Sequence, residues 1–121
     1  MKKEEIIVAA SGYLDPLHIG HIEYLGLAKK LGDRLIVIVN NDAQAALKKG
    51  KSFMPLNERV AIVKALKYVD EVVVSIDTDR TVCNTLEMLK PNIFAKGGDR
   101  TAEEIPEASV CKKHSIQIID G

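Results

Sequence analysis

Short apolar runs rich in isoleucine and valine recur along the chain and alternate with segments of helical spacing. The four clearest runs span residues 6–10, 35–39, 72–74 and 116–119. A weaker run at 93–95 follows Pro91. Uninterrupted apolar runs of this length are typical of parallel strands that are buried on both faces. The pattern therefore predicts five strands.

Between these runs, apolar residues recur every three to four positions, which is the period of an amphipathic helix. The first series consists of Ile22, Leu25, Ala28 and Leu31. Gly32 then stands where a helix commonly stops. A second series follows Pro55, a residue tolerated at a helix start, and consists of Val60, Val63 and Leu66. Residues 81–89 and 101–113 complete the four predicted helices.

Strands that alternate with helices of this length predict an α/β fold, a Rossmann-like doubly wound parallel sheet with helices on both faces. Right-handed crossovers favour the strand order 3-2-1-4-5, with a reversal between the first and fourth strands. Ligands of such sheets bind beyond the carboxyl ends of the strands at this reversal. Residues 11–21 and 96–100 are therefore expected to meet there.

Length and charge narrow the class of protein. With 121 residues, 46% of them apolar, the chain is long enough for one domain, covering 1–121, and too short for two. The 17 basic and 17 acidic side chains are interspersed and cancel, so no overall field attracts nucleic acid or an anionic bilayer. No apolar run approaches the length that spans a bilayer. We expect a soluble, cytoplasmic protein that binds neither nucleic acid nor membrane.

The segment His18-Ile19-Gly20-His21 follows the first predicted strand and stands where a helix should begin. Two imidazoles at i and i+3 can share one face of a helix. The first turn of a helix also offers free backbone N–H groups and the positive end of the dipole, which attract anions. Gly20 has no Cβ, so a phosphate could approach the backbone closely. This arrangement predicts a phosphate site; a capping histidine beside a solvated one is the simpler alternative.

The sequence offers no pattern of residues that would hold a metal. Zinc at the histidine pair is a rival interpretation, but no third or fourth ligand is spaced nearby and His114 is remote in sequence. Cys83 and Cys111 match neither a metal-ligand nor a redox spacing. We expect two buried or idle thiols in a reducing cytosol.

A second candidate segment, Lys96-Gly97-Gly98-Asp99, follows the fourth predicted strand and would face the histidine helix across the crevice. Paired glycines allow close approach to the backbone, and Asp99 can accept hydrogen bonds from ribose hydroxyls or from an amine. An ordinary turn is the alternative. Neither GxGxxG nor GxxxxGK[ST] occurs, which disfavours dinucleotide oxidoreduction and P-loop hydrolysis.

Lys48, Lys49 and Lys51 form the densest cationic cluster, and Arg59 lies near the start of the second predicted helix. A loop of lysines could close over a polyphosphate and neutralise the charge of the leaving group. A solvated surface loop is the alternative. The segment Asn40-Asn41-Asp42, at the end of the second strand, is either a helix cap or a nucleotide contact.

These parts favour transfer of a nucleotidyl group. No serine, cysteine or carboxylate dyad stands as a nucleophile with its base, which argues against hydrolysis through a covalent intermediate. A phosphate monoester acceptor is already substantially ionised at pH 7, since its second pKa is about 6. Its attack on the α-phosphorus of a nucleoside triphosphate needs only alignment and charge stabilisation, which histidines, lysines and Mg²⁺ can supply.

The chain resembles the small nucleotidylyltransferases that share the HxGH signature, the cytidylyltransferase-like family. Residues 12–21, 28–33, 39–42, 48–51, 55–59, 69–70 and 96–99 fall in the order of the family's motifs. The resemblance is closest to the adenylyltransferase domain for heptose 1-phosphate, and glycerol 3-phosphate cytidylyltransferases and archaeal FAD synthetases are similar. It implies a homodimer that transfers AMP or CMP from a nucleoside triphosphate, with Mg²⁺, to a phosphorylated small molecule and releases pyrophosphate. A sugar phosphate such as heptose 1-phosphate is the favoured acceptor; flavin or glycerol phosphate, and a non-catalytic nucleotide-binding module, are the alternatives.

The same resemblance assigns residues to the site. His18 and His21 stabilise the α-phosphate in the transition state, Lys49 and Arg59 contact phosphates, and Asp15 supports the loop and the metal or substrate. The other predicted nucleotide-binding residues are Gly12, Tyr13, Leu14, Gly20, Asp42, Lys51, Lys96, Gly98 and Asp99.

Two features depart from the family pattern. Leu14 stands where the family usually has an aromatic residue, so packing of the base or ribose is expected to differ. The second family signature, a Ser/Thr-rich segment that follows the last strand and binds the β- and γ-phosphates, is not found before Gly121. We expect a truncated or disordered tail to account for it.

Overall fold

Strands and helices alternate along the part of the chain that the computed structural model describes, which is residues 5–12, 19–44, 55–79, 81–96 and 106–120. The strands are β1 (Ile7–Gly12), β2 (Arg34–Val39), β3 (Glu71–Val74), β4 (Ile93–Lys96) and β5 (Gln117–Asp120). The helices between them are α1 (Ile19–Lys29), α2 (Leu56–Lys64), α3 (Cys83–Leu89) and α4 (Ala108–Lys113). The five predicted strands and four predicted helices are all observed.

The strands form one parallel sheet in the order β3-β2-β1-β4-β5. β1 lies at its centre and pairs with β2 on one side and with β4 on the other. The chain therefore winds outwards in one direction through β2 and β3, and in the other through β4 and β5. The predicted α/β class and the strand order are confirmed, and the reversal lies between β1 and β4.

Alternate residues of the central strand face two separate apolar cores. Val8 and Ala10 pack in a cluster with Leu25 of α1 and Val63 of α2. Ala9 packs on the opposite face, in a cluster that contains Phe94, Leu86 of α3 and Cys111 of α4. Since both faces of the sheet are covered, the buried parts of β1 and β2 lack a polar side, which explains their uninterrupted apolar runs.

The last helix and strand differ from the predicted bounds. The helix predicted for 101–113 is described from residue 106 onward and begins at Ala108, after Pro106, whose ring disfavours helical geometry in the preceding residue. The strand predicted at 116 begins at Gln117. The Ile116 N–H donates instead to the Cys111 carbonyl oxygen (2.7 Å), and Ser115 turns the chain with φ of 58°.

Within the described ranges, no helix is both long and apolar enough to cross a membrane.

Candidate active site

The first turn of α1 carries two residues of the predicted phosphate site, Gly20 and His21. The helix is described from Ile19 onward and has no acidic residue in its first turn. Gly20 is exposed and His21 is partly buried. The helix N-terminus therefore places Gly20 and His21 where the helix dipole favours an anion, with no acidic residue in that turn.

The side chain of Tyr24 links this helix to β1 and β4, the two strands at the reversal. The sequence had not indicated this residue. The Tyr24 hydroxyl donates to the carbonyl oxygen of Ala95 in β4 (2.6 Å) and accepts from the backbone N–H of Ser11 in β1 (3.3 Å). Burial raises the pKa of Tyr24 above its ordinary value of 10.0, because it disfavours the phenolate, while the Ser11 N–H opposes the shift. The hydroxyl is therefore protonated at neutral pH and remains a donor.

Arg59, predicted to contact phosphates, has a buried side chain in α2. Its Nη1 donates to the Asn40 carbonyl oxygen and its Nη2 to Asp42 Oδ1, both at 2.6 Å. The Leu56 N–H also points to Asp42 Oδ2 (3.4 Å). The guanidinium thus joins α2 to the carboxyl end of β2. A direct phosphate contact of Arg59 or Asp42 stays a prediction.

Asn41 lies in the segment after β2, for which the sequence left open either a helix cap or a nucleotide contact. Asn41 Oδ1 accepts from the Gln44 N–H (2.8 Å), which is the geometry of a helix cap. Its side-chain amide donates to the carbonyl oxygens of Ser75 and Asp77, both at 3.0 Å. Asn41 therefore caps the turn that begins at Asp42 and joins it to the loop after β3.

Gln44 is fully buried and strengthens the same connection. Its Nε2 donates to the carbonyl oxygens of Asp79 and Thr81, both at 2.7 Å. Its Oε1 accepts from Asn40 Nδ2 and from the Asn41 N–H, both at 3.1 Å. These bonds satisfy a buried amide in full and hold the ends of β2 and β3 together. No sequence motif marked this cluster.

Most of the remaining predicted site residues lie outside the described part of the chain. For Lys96 the backbone is described, as the last residue of β4, and the side chain is not. The others are Tyr13, Leu14, Asp15, His18, Lys49, Lys51, Gly98 and Asp99. Gly12 is described as the last residue of β1 and pairs with Val39.

The described residues show no metal centre and no ionised thiol. Among the described residues, no group of three or more His, Cys, Asp or Glu side chains is placed to hold a metal ion. Cys111 is buried and Cys83 is partly buried, and both are free thiols. Burial raises the pKa of both, that of Cys111 to about 11, so both are protonated at neutral pH. The expectation of buried, unreactive thiols agrees with this burial.

Related sequences identify the family. A family model described as cytidylyltransferase-like matches residues 9–116. The bifunctional protein HldE of Streptomyces coelicolor is 41% identical over 115 residues, which cover 93% of this chain and 24% of that protein. HldE of Citrobacter koseri is 44% identical over 106 residues, 86% of this chain and 22% of that protein. The chain thus spans about a quarter of the length of the curated relatives it matches.

Solved structures agree on the fold. The lipopolysaccharide core biosynthesis protein from Thermoplasma volcanium superposes with a TM-score of 0.82 at 32% identity, covering 97% of this chain and 96% of that one. Pantoate-beta-alanine ligase from Francisella tularensis gives 0.65 at 18% identity, covering 100% of this chain and 60% of that one, and shows the fold alone. Because the family model spans nearly the whole chain, the resemblance inferred from HxGH is confirmed, and the chain belongs to the cytidylyltransferase-like family of nucleotidyltransferases.

Proposed function

We propose that this chain transfers AMP or CMP from a nucleoside triphosphate to a phosphorylated small molecule and releases pyrophosphate. A sugar phosphate, such as heptose 1-phosphate, is the favoured acceptor. The observation that carries the proposal is the placement of Gly20 and His21 in the first turn of α1, at the reversal of a sheet whose family is a nucleotidyltransferase family.

The chemistry follows from the charge at this helix end. An ionised oxygen of the acceptor phosphate attacks the α-phosphorus and forms a new P–O bond, while the bond from the α-phosphorus to the bridging oxygen breaks. Pyrophosphate leaves with that oxygen and its electron pair. His21, together with His18, donates hydrogen bonds to the α-phosphate oxygens, on which negative charge increases in the transition state. The first-turn N–H groups and the helix dipole favour the same charge.

Mg²⁺ enters with the nucleoside triphosphate as part of the substrate and neutralises the β- and γ-phosphates. Lys49 and Lys51 add positive charge to the leaving pyrophosphate. Lys96 and Asp99 are the residues of this proposal that bind the nucleotide, Asp99 near the nucleoside. We further propose that the protein is a cytoplasmic homodimer.

The choice of a sugar phosphate rests on one relative. The Thermoplasma volcanium protein, which matches this chain over nearly its full length, is described as a lipopolysaccharide core biosynthesis protein. A lipopolysaccharide core is assembled from activated sugars, and nucleotidyl transfer to a sugar phosphate is a reaction that activates one. Glycerol 3-phosphate and flavin mononucleotide are the acceptors that a screen must separate from it.

Pyrophosphate release tests the proposal. ATP and CTP are each incubated with heptose 1-phosphate, glycerol 3-phosphate or flavin mononucleotide in the presence of MgCl₂. We expect release with one of these pairs and a loss of turnover of about 10²-fold or more in His21→Ala and His18→Ala, comparable to the loss of a transition-state donor. His114→Ala is the matched control, because the third histidine lies at the end of α4, beside Glu87 (3.4 Å).

Two outcomes would overturn the proposal. Turnover that is unchanged in both His18→Ala and His21→Ala would show that the helix N-terminus does not act on the α-phosphate. Nucleotide binding without pyrophosphate release from any pair would indicate a non-catalytic nucleotide-binding module.

A further inference from the structure

The pairing of β1 with β4 ends where the Tyr24 hydroxyl lies. Pairing of β1 with β4 runs from Val8–Ile93 to Ala10–Ala95 and stops there. β1 continues for two more residues beside β2, to the pair Gly12–Val39. The hydroxyl contacts the next N–H of β1, that of Ser11, and the carbonyl oxygen of Ala95, the last β4 residue that pairs with β1. One side chain therefore bridges the two strands where their own ladder ends.

The same side chain also determines where α1 lies over the crevice. Tyr24 is three residues after His21, so the two side chains lie on one face of the helix. Along the chain, β1 and α1 are joined by residues 13–18, and the Tyr24 hydroxyl joins them a second time across space. It adds a link to β4, whose last residue, Lys96, opens the predicted segment 96–99. Core packing holds the body of α1 against β1, and the Tyr24 hydroxyl adds a link from the helix to both strand ends.

We propose that Tyr24 is a positioning residue for nucleotidyl transfer: it sets the distance between the α1 N-terminus and the β1 and β4 ends so that His21 meets the α-phosphate. This role rests on the proposed function. Tyr24 itself does not touch the reacting atoms. Displacement of a transition-state donor by about 1 Å can reduce a rate 10²-fold, so one lost tether is enough to be measured in turnover.

A second tyrosine, which follows α2 and contacts α1, provides a matched control. Tyr68 packs its ring against Gly26, where an added Cβ would lie 3.3 Å from the ring. Gly26 is two positions from Tyr24, so this contact lies on the opposite side of α1. Tyr24→Phe and Tyr68→Phe each remove a hydroxyl and keep the ring. Only the first removes the link between the helix and the strands.

The test compares both variants with the wild-type chain in kcat, KM and amide hydrogen exchange, at a temperature where thermal unfolding shows each to be fully folded. For Tyr24→Phe we expect kcat to fall about tenfold or more while KM changes little, because alignment is lost and ground-state contacts remain. We also expect faster exchange at Ser11 and at the first hydrogen-bonded amides of α1. Tyr68→Phe should leave kcat and this exchange at wild-type values.

The outcomes separate this inference from the function on which it rests. An active wild-type protein in which Tyr24→Phe keeps its kcat, or keeps the slow exchange of Ser11 and α1, overturns the positioning role alone. A merely structural role would lower the melting temperature without lowering kcat per folded molecule, and that result also overturns it. A wild-type chain that releases no pyrophosphate overturns the proposed function, and the positioning role with it.

Discussion

The guanidinium of Arg59 lies 2.6 Å from the carboxylate of Asp42, with the arginine side chain fully buried and the aspartate side chain 52% exposed. The same guanidinium donates to the buried carbonyl of Asn40. Asp42 precedes residues 45–54 and Arg59 follows them, so the contact joins the two ends of the segment that contains the predicted lysines. Arg59, which the family resemblance assigns to phosphate, is thus hydrogen-bonded to the backbone that leads to those lysines.

A double-mutant cycle measures what this contact contributes to stability. Arg59→Met removes a donor from a buried carbonyl oxygen, which costs about 1–3 kcal/mol when the acceptor is left unsatisfied. Asp42→Asn keeps an acceptor but loses the charge. Because the two residues touch, the losses should not add, and we expect a coupling energy of about 1 kcal/mol or more from urea unfolding.

The pair of Arg34 and Glu71 is the matched control for that cycle. It has the same chemistry at 2.8 Å, but its side chains are 40% and 44% exposed. Water and salt screen an exposed pair, so its coupling should be smaller and should weaken with added salt. An Arg59–Asp42 coupling no larger than that of the exposed pair would contradict the role assigned to the buried guanidinium.

The sheet could be predicted because its information is local. A strand buried on both faces, as β2 is from residue 35 to 39, shows as an uninterrupted apolar run, and right-handed crossovers leave few possible strand orders. The position of α1 could also be predicted, because the segment from His18 to His21 directly precedes a series of apolar residues with helical spacing. Each of these signals lies within a few adjacent residues.

The contacts that support the site were not predictable in this way. Tyr24 and Ala95 are 71 residues apart, and no property of either residue alone indicates that they meet. Gln44 contacts backbone carbonyls 35 and 37 residues away. The sequence shows that Arg59 is a cation, but its burial depends on Asn40 and Asp42, which only the fold brings to it.

A second prediction concerns Asp77, which caps α3 from outside the helix. Val82, at the N-cap position of α3, makes no side-chain cap bond. The buried Asp77 carboxylate instead accepts from the N–H groups of Asn84 (2.8 Å) and Thr85 (3.0 Å), and from Thr85 Oγ1 (2.6 Å). Asp77→Ala leaves these donors without that acceptor, and we expect a loss of about 1–3 kcal/mol in urea unfolding.

Asp79→Ala is the control for the capping role. Asp79 also accepts from an N–H (2.9 Å) and a hydroxyl (2.6 Å), both of Thr81, but it is exposed. Water can replace an exposed acceptor, so the free energy of unfolding should fall less than in Asp77→Ala. Equal losses in the two variants would show that burial of the Asp77 cap is not what stabilises α3.

A third prediction concerns the pH dependence of stability at the amino ends of β2 and β3, where Asp70 lies. The ammonium of Lys29 donates to Asp70 Oδ2 (2.5 Å) and the Leu35 N–H donates to the same atom (2.8 Å). Both bonds lower the pKa of Asp70 below its ordinary value of 3.8, the ammonium most strongly. The folded chain therefore holds this proton less tightly than the unfolded chain, so the stabilisation is complete above pH 3.8 and is lost as the pH falls through the folded pKa.

Asp70→Asn removes this titration. We expect the difference in unfolding free energy between wild type and Asp70→Asn to be constant from about pH 7 to 5 and to shrink below pH 3.8, as measured by urea unfolding at each pH. Lys29→Gln should weaken the pH dependence without abolishing it, because the Leu35 N–H still donates. A difference that grows as the pH falls would have the wrong sign for a carboxylate with a lowered pKa.

The last prediction compares the substitution of alanine for glycine at two positions, Gly26 within α1 and Gly32 in the turn that follows it. A Cβ at Gly32 would lie 2.7 Å from the Ile6 carbonyl oxygen and 2.8 Å from Val8 Cγ2, so the turn after α1 could not stay against β1. Neither backbone nor a buried core methyl yields easily, and overpacking of this kind costs about 1–3 kcal/mol. Gly32→Ala should therefore lower the free energy of unfolding by about that amount.

At Gly26 the same Cβ would meet only the ring of Tyr68, at 3.3 Å. That ring is partly buried and can shift by a few tenths of an ångström, while alanine gains about 0.5–1 kcal/mol over glycine inside a helix. Gly26→Ala should therefore be neutral or stabilising in the urea experiment that shows Gly32→Ala to be destabilised. Tolerance of alanine at Gly32 would mean that α1 can move relative to β1 without loss of stability.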